Sequence, residues 1–150
     1  MKIIEIKNQQ DFDKLPNNVV GNIVITGGIK IPCTKGSMMS VHGGTVRLSG
    51  AAKIYAFGSI VIAEGVSTVI AENSDVTACE NTEVFSHDNS QVVAWGHARI
   101  MASGRSAVHV MGKAEVTAAV GCHLWGDGKK CWDIPDIPDR KKVCELAEAL

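Results

Sequence analysis

An all-β fold, and within it a β-solenoid, is predicted for this 150-residue chain by three features. An eight-residue period runs through its middle. Only 5 % of its residues are aromatic, while Gly, Ala, Val and Ser are plentiful, so the core must be thin and lined by small or β-branched side chains. Every period also carries its own turn formers, which keeps each strand to about five residues.

The period is clearest between 75 and 122, which divides without a gap into DVTACENT, EVFSHDNS, QVVAWGHA, RIMASGRS, AVHVMGKA and EVTAAVGC. The second place is Val76, Val84, Val92, Ile100, Val108 and Val116, and the fourth is Ala78, Ser86, Ala94, Ala102, Val110 and Ala118. Both point to one face of a strand. The eighth place is small, and the sixth and seventh hold turn formers such as Asn81, Asn89, Gly96, Gly104 and Gly112. The same frame extends backwards through STVIAENS, SIVIAEGV, AAKIYAFG and GGTVRLSG, with the large residue now at the fourth place, giving ten octads over 43–122.

A short strand closes no fold alone, but coils stacked ~4.8 Å apart pair each strand with those above and below. Two octads per coil set the first-place residues Glu83, Arg99 and Glu115 in one column of alternating sign. They also align Val69, Phe85 and Met101 on one sheet and Cys79, Trp95 and Met111 on the other. The expectation is a flattened two-sheet solenoid of five coils.

Both ends read as caps, which a solenoid needs to cover its open strand edges. Residues 1–42 form a small α/β cap: a strand over 2–6, a short helix over 8–15 stopped before Pro16, and a strand over 19–26 followed by Gly27 and Gly28. Residues 123–150 form the other, with GDGKK as a turn, WDIPDIPD extended by its prolines, and an amphipathic helix over 138–150. The whole chain is expected to be a single domain.

The pattern V-x-A-x-G-N-x-x, seen in VVAWGHA and VTACENT, resembles the octapeptide-repeat β-solenoids of bacteria and phages. The leader IIEIKNQQDFDKLP is similar to the one that precedes such repeats. The resemblance implies a solenoid fold and an origin in phages or mobile elements. It implies no catalytic chemistry.

Four acids fall in succession at the sixth place, Glu64, Glu72, Glu80 and Asp88, and they are the metal candidates. With two octads per coil Glu64 lies over Glu80 and Glu72 over Asp88, so like charges would stack and draw a cation. Solvated acids splayed from a corner are the plainer reading, and no metal or other cofactor is assigned. His87, His97 and His109 fall at different repeat phases and do not share a column. Cys122, His123 and Cys131 would need Cys144 or His109 to complete a zinc site. In GCHLWGDGKK the lysine is misplaced for a phosphate loop and no Ser or Thr follows it. The period of eight excludes the hexapeptide-repeat acyltransferases, and the length excludes the long polysaccharide-cleaving β-helices, so no enzymatic activity is expected.

A net charge of −1 offers no basic footprint for nucleic acid, and no apolar run reaches the ~20 residues that span a bilayer. Five scattered cysteines without a CxxC pair are expected to stay reduced in a cytoplasmic protein. What remains is surface. The third and fifth places over 61–119 carry no Lys, Arg, Asp or Glu. Val69, Phe85, Val93, Trp95, Met101 and Met111 are the expected interface residues. The function expected is a non-enzymatic protein-binding or scaffold solenoid, dimerising or docking a host protein; in a phage setting it would inhibit a host complex. The alternative is a polymer-forming solenoid of the bactofilin kind.

Overall fold

The short strands end in corners that send the chain across to a second sheet rather than back beside the first. The computed structural model describes residues 3–15, 22–31 and 39–132. Among these residues one sheet contains nine strands. In order they are β1 (Ile3–Ile6), β2 (Asn22–Ile25), β4 (Met39–His42), β6 (Lys53–Phe57), β8 (Thr68–Glu72), β10 (Glu83–His87), β12 (Arg99–Ala102), β14 (Glu115–Ala118) and β16 (Lys129–Trp132). The other contains seven: β3 (Gly28–Ile31), β5 (Thr45–Leu48), β7 (Ile60–Ala63), β9 (Asp75–Ala78), β11 (Gln91–Ala94), β13 (Ala107–Val110) and β15 (His123–Trp125). From β2 onward successive strands alternate between the sheets, and neighbours such as β10 and β12 pair in parallel. The result is a two-sheet β-solenoid of about seven turns.

The core is a single layer between the sheets. It is filled by Val46, Ile54, Val61, Val69, Val76, Val84, Val92, Ile100, Val108 and Val116, all buried. Two residues on, the inward places are mostly alanine, among them Ala56, Ala63, Ala71, Ala78, Ala94 and Ala102. Alternating a branched and a methyl side chain lets the walls approach closely and still fill the space between them.

The register differs from ten uniform octads. Strands pair at an offset of 16 residues from β9 to β13, as in Asp75↔Gln91 and Gln91↔Ala107. Between 45 and 83 the offset is 15, as in Thr45↔Ile60 and Thr68↔Glu83. Two half-coils, KIYAFGS and TVIAENS, therefore have seven residues instead of eight. Earlier coils are longer, with offsets of 19 for Ile3↔Asn22 and 17 for Gly28↔Thr45. The solenoid thus extends into the stretch expected as a cap.

Between β5 and β14 each corner turns on one residue with left-handed backbone. Gly50, Gly65 and Gly96 occupy one edge with φ between +61° and +72°, and Glu80 stands among them at +56°. Gly58, Asn73, Asp88 and Gly104 follow the other edge. A hydroxyl after the turn closes it: Ser67 donates to the Glu64 carbonyl at 2.7 Å and Ser106 to that of Ser103 at 2.9 Å. Along the second edge the backbone N–H of Ser59 donates to Ser74 Oγ at 3.2 Å, and that of Ser74 to Ser90 Oγ at 3.3 Å. These corner hydroxyls are satisfied, which is why they are tolerated inside.

Between β1 and β2 runs a short helix, α1 (Gln9–Asp13), capped by the Asn8 side chain, which accepts from the Asp11 N–H. From α1 the Gln9 side chain reaches the open edge of β3. Its amide Nε2 donates to the Lys30 carbonyl at 3.0 Å and its Oε1 accepts from the Lys30 N–H at 2.7 Å. One side-chain amide thus imitates a neighbouring strand and blunts that edge. Among the described residues no helix is long and apolar enough to cross a membrane. The helix expected over 138–150 lies outside the described residues, as does Cys144.

Candidate interaction surfaces

Because side chains alternate across a strand, each sheet turns its first, third and fifth places outward, and lateral pairing stacks equal places into columns. On the nine-stranded sheet the first-place column reads Glu83, Arg99, Glu115, Lys129. The third-place column beside it reads Tyr55, Ile70, Phe85, Met101, Thr117. Met101 is 53 % exposed, and Phe85 is half-buried between its neighbours. Further along, His42, Phe57 and Tyr55 form an aromatic stack with ring centroids 4.6 Å apart at each step.

The seven-stranded sheet presents a different face. Its third-place column runs from Lys30 and Arg47 through Ile62 and Thr77 to Val93, His109 and Trp125. Beside it the fifth places bring Cys79, Trp95 and Met111 into line, with backbone N–H groups bonded to Ala63, Ala78 and Ala94 in turn. Val93, Trp95 and Trp125 are 37 %, 49 % and 41 % exposed, and His109 stacks on Trp125 at 5.2 Å. From Thr77 to Trp125 neither of these two columns carries a formal charge.

The six expected interface residues are therefore divided. Phe85 and Met101 lie on the nine-stranded face; Val93, Trp95 and Met111 lie on the seven-stranded face. Val69 lies on neither, because it is fully buried against Ile54 and Val84. The seven-residue half-coils shift its frame by one place, so Ile70 is the residue that aligns with Phe85. The same shift puts Val61 inside and Glu64 and Glu72 outside, so the stretch from 61 is not free of charge.

The acidic stack is overturned for the same reason. Glu72 pairs laterally with His87 rather than Asp88. Each of three acids has another partner: Glu64 bridges to Arg47 at 2.7 Å, Glu72 accepts from the Tyr55 hydroxyl at 3.1 Å, and Glu80 accepts from the Gly65 N–H at 2.7 Å. The Glu72 bond, with burial, pushes the Tyr55 phenol above its ordinary value. Glu80 and Asp88 themselves form the left-handed corners. Among the described residues no three His, Cys, Asp or Glu side chains converge as a metal site.

The thiols fare unevenly. Cys131 on β16 is disulfide-bonded, so the expectation that all five cysteines stay reduced fails there. Cys122 and His123 point to opposite sides of the wall, one buried and the other exposed, which removes them as joint zinc ligands. Cys79 and Cys122 are free, and burial pushes both thiols up; at Cys79 the Trp95 side chain works against that. Lys129 and Trp125 escaped the sequence reading. The cue for Trp125 was its 16-residue distance from His109, which continues the octad frame past its expected end.

Compared with known proteins, the chain matches no family model, no curated protein and no solved structure.

Proposed function

We propose that this protein is a non-enzymatic, protein-binding scaffold whose seven-stranded face docks an apolar surface of another protein. The observation that carries this reading is the uncharged patch of Val93, Trp95, Met111, His109 and Trp125, held flat by a fully paired sheet. Large aromatic side chains on a rigid surface bury area at little entropic cost and are the residues around which protein interfaces concentrate their energy. The acids, by contrast, are engaged with Arg47, Tyr55 and Gly65 and serve the coils. The octapeptide-repeat resemblance, with its phage setting, makes occupancy of a host complex the natural effect. End-to-end polymerisation is disfavoured because Gln9 occupies the β3 edge that a following molecule would need.

Capture of a candidate partner protein by the wild type and by Trp95→Glu tests the proposal. The substitution is expected to abolish capture while leaving thermal unfolding unchanged, because Trp95 is half exposed and makes no contribution to the core layer. Capture of the partner indifferent to Trp95→Glu would overturn the reading.

A further inference from the structure

We propose that the nine-stranded face is a second interface, on which two copies of this chain pair through an antiparallel charge ladder. It lies on the opposite side from Trp95 and is independent of the seven-stranded face. The first-place column reads minus, plus, minus, plus over four consecutive rungs: Glu83, Arg99, Glu115 and Lys129. All four side chains are exposed. Among the described residues the ion pair formed is Arg47–Glu64, so the ladder charges are spaced along the column without pairing to one another.

An alternating ladder with an even number of rungs is complementary to itself when reversed. A two-fold axis parallel to the strands, between β12 and β14, turns the face onto its copy with the strands parallel and the solenoid axes opposed. It sets Glu83 opposite Lys129 of the second copy and Arg99 opposite its Glu115, and by symmetry the same two contacts recur. All four cross-contacts are attractive. The neighbouring column then lays Met101, which is 53 % exposed, against Thr117 of the second copy, giving the ladder an apolar flank. A parallel arrangement, or a shift by one rung, puts like charges together. The charges therefore select one orientation and one register, which is the role charge complementarity plays best.

Four rungs spaced ~4.8 Å apart, each a strand about 13 Å long, give a few hundred Å² per copy, below the ~800 Å² of a standard interface. The dimer is accordingly weak and sensitive to salt. Sedimentation equilibrium from micromolar to millimolar protein tests it on the full chain. The wild type is expected to dimerise, several-fold more weakly at about 0.5 M than at about 0.05 M salt. Glu83→Lys alone and Lys129→Glu alone each place two like-charge contacts in the homodimer and should weaken it at least about tenfold. An equimolar mixture of the two variants restores every cross-contact, and heterodimers should form with near wild-type affinity. The double variant Glu83→Lys/Lys129→Glu should also dimerise, although its own column then reads plus, plus, minus, minus. Circular dichroism checks that each variant is folded, and the mixture controls for damage by either one. A monomeric wild type, single variants that dimerise normally, or a mixture that fails to recover would each overturn the proposal.

Discussion

The coils between 45 and 74 and those between 75 and 122 build the same wall with different numbers of residues. In both, the second place of each strand is a buried Val or Ile and a small residue ends the corner. The longer half-coils EVFSHDNS and RIMASGRS place one exposed residue, Asn89 or Arg105, between the left-handed corner and the inward serine. The shorter ones, KIYAFGS and TVIAENS, omit it, and Ser59 and Ser74 follow Gly58 and Asn73 directly. The serine hydroxyl finds the same target either way: Ser90 donates to the His87 carbonyl three residues back, and Ser74 to the Glu72 carbonyl two residues back. Corners therefore absorb a change of length, and strands do not.

The sharpest way to break that comparison is a pair of deletions. Removing Val92 from β11 turns every later inward residue of the strand outward and should abolish cooperative unfolding, as followed by circular dichroism. Removing Asn89 converts a long corner to the short form already present at Asn73. It costs the bond from the Asn89 N–H to Asn73 Oδ1, about 1 kcal/mol, so the melting temperature should fall by only about 2–4 °C. A comparable collapse in both variants would show that corners are as strict as strands.

A smaller effect separates the two kinds of corner themselves. Gly58 and Gly104 share one edge and have φ of +60° and +69°. A Cβ on Gly58 would meet nothing within 4 Å, whereas one on Gly104 would lie 2.8 Å from the Asp88 backbone nitrogen. Gly58→Ala should cost about 1 kcal/mol, the ordinary penalty of a left-handed alanine, and Gly104→Ala distinctly more, measured by denaturant unfolding. Equal costs would mean that the stacked corners give way freely.

The smallest effect is a pH dependence confined to the shorter coils. Tyr55 on β6 donates to Glu72 on β8, and that bond raises its pKa in the folded state. A group whose folded value is raised contributes stability that is complete below its unfolded value of about 10 and is lost as pH climbs through the folded one. Wild-type stability should thus fall more steeply than that of Tyr55→Phe above pH 10, with the ultraviolet phenolate band of Tyr55 appearing later than that of free tyrosine. Parallel stability profiles would remove the Glu72 bond from the account.

Much of this was legible in the residues. The segment 75–122 announces its period, its inward places and its two-repeat coil, and the Glu83, Arg99, Glu115 column stands as the spacing implies. The stretch before it was misframed because TVIA and IVIA are apolar at adjacent places. In such runs Val69 and Ile70 are equally good core residues, and alternation gives no sign of which faces inward. Lys129 escaped because the half-coil leading to it is shorter still, with an offset of 14 from Glu115.

What the sequence by itself determined is the kind of molecule: short strands, a turn in every period, and a thin core of valine and alanine, all of them local consequences of side-chain shape. Tertiary structure alone decided the faces. Whether Val69 is core or surface, whether Glu72 meets Asp88 or His87, and whether a fourth charge completes the ladder all depend on lateral pairing with strands 14 to 16 residues away. A period of two cannot carry that information, because a slip of one residue leaves the local pattern intact and exchanges the two sides of the wall.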